Sequence, residues 1–151
     1  MESIEGELLA GSLGPLAAKM GITVSEASPE RVVGSMPVEE NTQAYGLLHG
    51  GASCVLAETL GSIGAALHGM RTSGRLPVGV EINATHHRSA RRGTVTGVAT
   101  ALHLGRSMAT FEIVISDEAG DRVCTSRLTC YLRRPNGLIA GNGSQVSPGT
   151  P

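Results

Sequence analysis

Aromatic residues are almost absent: one Phe, two Tyr and no Trp stand among 151 residues. The core must then be built from Val, Leu, Ile, Ala and Met, and a chain of this length can bury one such core without covalent staples. Lysine is nearly absent too, with a single Lys against eleven Arg. The net charge of −1 implies no general attraction to nucleic acid. Three cysteines, Cys54, Cys124 and Cys130, have no metal-ligand spacing and leave an odd one out. They read as reduced, mostly core thiols of a cytoplasmic protein, and no metal site is expected. The N-terminal region lacks a basic start followed by an apolar run, so no signal peptide is expected. No apolar segment is read as approaching the ~20 residues that a membrane span needs.

What is present suits one globular domain, with 40% apolar residues, 17% charged residues and 21 glycines. The chain divides into a flexible N-terminus over 1–12, a domain over 13–132 and a Gly-, Pro- and Ser-rich flexible tail over 133–151. Within the domain, Leu13 to Met20 suits a short helix, followed by strands over Ile22 to Ala27 and Arg31 to Val38. A long helix is expected from about Gly50 to Met70, broken over His68 to Gly74. Strands follow over Leu76 to Ala90, Gly93 to Leu104, Ser107 to Ser116 and Arg122 to Leu132. In the first of these, Val78, Val80, Ile82, Ala84 and His86 alternate onto one face; in the last, Cys124, Ser126, Leu128, Cys130 and Leu132 do. The fold class is α+β, one long helix against one antiparallel sheet. Gly61 and Gly64 each cost that helix about 1 kcal/mol relative to Ala, which points to a sheet packed closely there.

The chain is organised around Gln43 to Ser62, QAYGLLHGGASCVLAETLGS. The helix that begins at its paired glycines is apolar nearly all round, which predicts burial. Glu58 is the only charged residue in the stretch, and a buried carboxylate is costly unless it is paired or used. It is a structural salt bridge, a residue at the rim, or a reacting group.

The pattern Q-x-x-G-L-L-H-G-G-A-S-x-x-L-A-E-x-x-G-S resembles the hot-dog-fold acyl-CoA thioesterases. It is closest to the bacterial branch that hydrolyses 1,4-dihydroxy-2-naphthoyl-CoA and, more loosely, 4-hydroxybenzoyl-CoA and phenylacetyl-CoA. VGVEINATHHRSARRG (Val78 to Gly93) and ALHLG (Ala101 to Gly105) resemble the same branch. The resemblance implies a curved antiparallel sheet wrapped around the long central helix, homodimers joined edge to edge, and tetramers as dimers of dimers. It implies hydrolysis of an aryl-CoA thioester, with a place in menaquinone biosynthesis. No cofactor is needed, since CoA arrives as part of the substrate.

Residue by residue, the resemblance makes Gly50 the oxyanion donor and Glu58 the nucleophile or general base, drawn from different subunits. Gln43 and His49 stand near the thioester, and Ser62 holds the carboxylate or the attacking water. It puts CoA against Gly79, against His86, His87, Arg88 and Ser89, and against His103, Leu104, Gly105, Arg106, Ser107 and Met108. The residues themselves agree in part. A helix N-terminus presents unpaired N–H groups and about half a positive charge. Arg88 and Ser89 suit phosphate or pantetheine. His49 suits capping of the helix as well as catalysis. A Cys54/His49 hydrolase has poor geometry and no third orienting residue. The other function class left open is a non-catalytic acyl-CoA-binding hot-dog domain.

Overall fold

The structure is a computed structural model that describes residues 13–135. The flexible end expected over 1–12, and the tail from 136 onward, lie outside the described residues. The elements are α1 (Pro15–Lys19), β1 (Thr23–Ala27), β2 (Arg31–Pro37), a single 3-10 turn (Glu39–Asn41), α2 (Gly50–Ser73), β3 (Leu76–His86), β4 (Thr94–Leu104), β5 (Met108–Ser116) and β6 (Arg122–Arg133). The six strands form one sheet in the order β1-β2-β4-β5-β6-β3, every neighbour antiparallel. The sheet packs around α2 in the hot-dog arrangement. Because α2 leads the chain across the sheet, β3 takes the edge opposite β1.

Helix α2 is 24 residues long, about 36 Å at 1.5 Å per residue. No break occurs at His68. The ring there is held by the Gly105 carbonyl, Nε2 to O 2.8 Å, and the helix runs on to Ser73. Gly74 ends it in the left-handed region, φ 62°, with its N–H on the Gly69 carbonyl. One further expectation is corrected. By length and composition α2 does reach what a membrane span requires. Its large side chains are nonetheless spent on the sheet: Leu56 and Leu60 are fully buried, with Ile63 and Leu67 nearly so.

The core answers the shortage of aromatics. Phe111, the only Phe, is fully buried among Met36, Ile113, Ile115, Leu128 and Leu132 from the sheet. Each such side chain is worth about 1.5–3 kcal/mol of burial. The helix glycines are there for approach. A Cβ on Gly64 would lie 2.6 Å from Phe111 Cε1, and one on Gly61 2.7 Å from Leu128 Cδ2.

The alternation expected for β6 holds, with Cys124, Ser126, Leu128, Cys130 and Leu132 all buried. The alternation expected for β3 does not. The register against β6 shifts between Gly79 and Glu81, so Val80 is a bulged extra residue and is 56% exposed. Ile82 and Ala84 still pack on the core. The strand also stops at His86, short of Ala90.

Candidate active site

The loop before α2 is fastened before the helix begins. Thr42 and Leu48 bridge, and the Gln43 N–H donates to the Leu47 carbonyl at 2.8 Å. Gln43 Oε1 accepts from the N–H groups of Tyr45 and Leu47, which leaves the side-chain NH2 as the part of Gln43 able to meet a ligand. Leu48 N–H donates to the Ala90 carbonyl at 2.7 Å and His49 N–H to the Asn41 carbonyl at 2.9 Å. The helix start is thereby tied to the segment that follows β3.

His49 is the N-cap. Its Nδ1 accepts the Gly51 N–H at 2.8 Å, which fixes the proton of the neutral ring on Nε2. The Ala52 and Ser53 N–H groups turn back to the His49 carbonyl, 2.9 and 3.3 Å. The Gly50 N–H forms no hydrogen bond among the described residues. Beside it stands the His86 ring: a Cβ on Gly50 would lie 2.9 Å from His86 Nε2. Gln43, Gly50, Ser53, His86, His87, Arg88 and Ser89 line one cavity of 310 Å³. Six residues read from the sequence meet there.

Glu58 corrects the expectation of burial, because it is exposed in the single chain. The sheet covers only one side of α2, and an uncovered stripe runs down the other. Glu58 and Ser62, one turn apart, line a separate cavity of 430 Å³ with Val55, Thr59, Ile63 and Ala66 from the helix and Leu13 and Leu16 from the segment around α1. Eight residues separate Gly50 from Glu58, about 12 Å along the axis, and the two cavities share no lining residue. The single chain therefore does not unite amide donor and carboxylate.

The three cysteines were read from the sequence as mostly core thiols, but the nearness of Cys54 and Cys130 to Glu58 was not. Burial pushes the Cys54 thiol up, and the Glu58 charge adds to this. Burial also raises Cys130, a Ser62 hydrogen bond pulls the other way, and the Glu58 charge again raises it. Cys124, deeper, is pushed up to about 11 by burial and then by Cys54. Cys54 precedes Glu58 by one turn and was within reach of a helical reading; Cys130 arrives from β6 and was not. A protonated Cys54, with His49 Nδ1 occupied at the cap, also argues against a Cys/His nucleophile.

The residues read as CoA contacts fall into three places. His86 to Ser89 line the Gly50 cavity. There His87 Nε2 lies 3.0 Å from Thr125 Oγ1, and Arg88 pairs with Asp121 at 2.6 Å, both about half exposed. Leu104, Gly105 and Arg106 line a cavity of 760 Å³ at the other end of α2, with His68, Arg75 and Arg134. His103 is exposed beside this turn, the Ser107 carbonyl accepts the Leu132 N–H at 2.8 Å, and Met108 opens β5. Gly79 sits in neither place but beside Glu58.

Comparison with known proteins decides the class of chemistry. The sequence model of the thioesterase superfamily matches residues 45–124. The chain belongs to the thioesterase superfamily. It is 47% identical over 126 residues to the proofreading thioesterase EntH of Cronobacter sakazakii, covering 83% of this chain and 90% of that one. Among solved structures it resembles a thioesterase from Haemophilus influenzae, at 33% identity and TM-score 0.78 over 95% of this chain and 96% of that one. It also resembles a glutamine-to-alanine variant of a thioesterase from Pseudomonas aeruginosa, at 37% identity and TM-score 0.78 over 88% and 96%. The thioesterase is thus a thioester hydrolase with the hot-dog fold, and the non-catalytic binding domain left open by the sequence is set aside. The chemistry it must perform needs an amide donor for the developing oxyanion and a base or nucleophile. The Gly50 N–H and Glu58 have those properties.

Proposed function

We propose that this thioesterase hydrolyses aryl-CoA thioesters at a site assembled from two copies of the chain. The observation that carries the proposal is the pairing of an unengaged helix-start amide, Gly50, with a carboxylate exposed on the uncovered side of the same helix. One copy supplies the Gly50 N–H, with Gln43 and His49 around it; the other supplies Glu58 and Ser62. The β3 edge supports such an assembly, since an eleven-residue edge strand is a ready template for pairing. Antiparallel pairing of two β3 edges would run the two α2 helices in opposite directions and bring one helix start toward its partner's Glu58. A homotetramer made as a dimer of dimers, in the cytoplasm, belongs to the same reading.

In the reaction the thioester carbonyl accepts from the Gly50 N–H as its oxygen gains charge. Such a donor is worth about 3–4 kcal/mol. Glu58 then either attacks the carbonyl carbon, forming a mixed anhydride that water opens, or takes a proton from the water that attacks. In both routes the C–S bond breaks, the thiolate leaves and is protonated to CoA, and the acid is released. Single turnover in heavy-oxygen water separates them: label enters Glu58 only by the anhydride route.

The VGVEINATHHRSARRG block supports 1,4-dihydroxy-2-naphthoyl-CoA or 4-hydroxybenzoyl-CoA as substrate, and with it a step in menaquinone biosynthesis. The name of the EntH relative supports a second reading, clearance of wrongly charged thioesters in general. A panel of naphthoyl, benzoyl, phenylacetyl and straight-chain CoA esters tests both. One ester ahead by 100-fold or more in kcat/KM favours a dedicated substrate, and a flat profile favours clearance. Glu58→Ala should lose at least ~100-fold in kcat. Since Glu58 is exposed, its melting temperature should hardly move. A folded variant with near-normal turnover would overturn the assignment.

A further inference from the structure

We infer that Gly79 and the bulge at Val80 form a seat for the Glu58 carboxylate, so that Gly79 is a positioning residue for hydrolysis; this rests on Glu58 being the reacting group. A Cβ on Gly79 would lie 3.1 Å from Glu58 Oε1, while its next neighbours, Glu58 Cδ and Leu128 Cδ1, would both be 3.9 Å away. The second of those is ordinary contact, so alanine fits the fold and meets only the carboxylate. The glycine is not there for its backbone either, since Gly79 is not among the glycines with positive φ. What the position requires is the missing side chain.

The bulge explains why the seat falls on a glycine. Gly79 pairs with Cys130 and Glu81 with Thr129, which leaves Val80 unmatched. In an unbroken strand, alternation from Ile82 and Ala84 would turn Val80 and Val78 toward the helix. A valine would then stand where the carboxylate lies. The extra residue sends Val80 outward and turns the Gly79 position inward instead. Cys130, its partner across the ladder, and Ser62 complete the surroundings of Glu58. The edge strand thus leaves room for the acid and sets the direction from which it reaches out of the single chain.

The resemblance to the family gives Gly79 a different part, contact with CoA, and kinetics separate the two. Gly79→Ala should fold with an unchanged melting temperature and lose about ten-fold in kcat, the cost of moving a reacting group by a few tenths of an ångström. KM should stay within about two-fold. A raised KM with normal kcat would make Gly79 a substrate contact and overturn the inference. A double-mutant cycle with Glu58→Asp gives the second readout. The shorter acid withdraws from the new methyl, so Gly79→Ala should cost at most about two-fold in that background. An equal loss in both backgrounds would reject the seat. Should Glu58→Ala retain turnover while Gly79→Ala loses it, the fault lies with the catalytic assignment of Glu58.

Discussion

The Nδ1 of His49 accepts the Gly51 N–H at 2.8 Å, and this bond divides the labour among the first amides of α2. Gly51 is held by the cap, Ala52 and Ser53 by the His49 carbonyl, and Gly50 is left for a ligand. His49→Ala should lower stability by about 1 kcal/mol, the usual worth of a cap, and reduce kcat as the first turn frays. His49→Asn should restore both stability and most of the turnover, because Asn is as good a cap and brings no charge to the developing oxyanion. Denaturant midpoints and kcat measured on the two variants check this. Recovery of stability without turnover would mean that the ring itself acts on the thioester.

Arg88 is half exposed and paired with Asp121 at 2.6 Å. Such a surface pair is worth at most about 1 kcal/mol, so a phosphate can displace the carboxylate at little cost. Arg88→Ala should therefore raise KM for a CoA ester more than it lowers kcat. Asp121→Asn should lower KM by releasing the guanidinium. Both effects should shrink as salt rises, since the contact is exposed. Steady-state kinetics at two ionic strengths decide the matter, and an unchanged KM in Arg88→Ala rejects the contact.

Cys124 predicts an alkaline limit. Its thiol is pushed above the usual 9.0 to about 11 in the folded chain, first by burial and then by Cys54. Below pH 9 both states hold the proton and stability is unaffected. Between pH 9 and about 11 the unfolded chain releases a proton that the folded chain keeps, so stability falls as pH rises. Thermal melts across that window should show a decline that is shallower in Cys124→Ala. In native protein a thiol reagent should label Cys54 first, because Cys124 and Cys130 are buried.

Much of the fold was legible because its signals are local. Eleven residues of α2 are buried, and the apolar stretch that holds them required something packed against the helix. Gly61 and Gly64 announced a close sheet, and Leu128 and Phe111 fill that space. The alternation in β6 held from Cys124 to Leu132, beyond the one place where its register against β5 shifts, at the buried Val123. In β3 the same rule failed at Val80, since a bulge depends on what the neighbouring strand presents and not on the strand's own sequence.

The sequence by itself determined the capped glycine-rich helix start and the lone acid of the helix two turns beyond it, because helix periodicity and capping act over a few residues. Only the tertiary structure decided where they stand. A helix that is apolar all round can be covered on one side alone, so the burial expected for Glu58 gave way to an exposed position on the uncovered side. The segments around His86 and Gly105 resembled one binding surface in the sequence. The tertiary structure sets them at opposite ends of the helix, because β3 and β4 run in opposite directions in the sheet and each segment follows the end of its own strand.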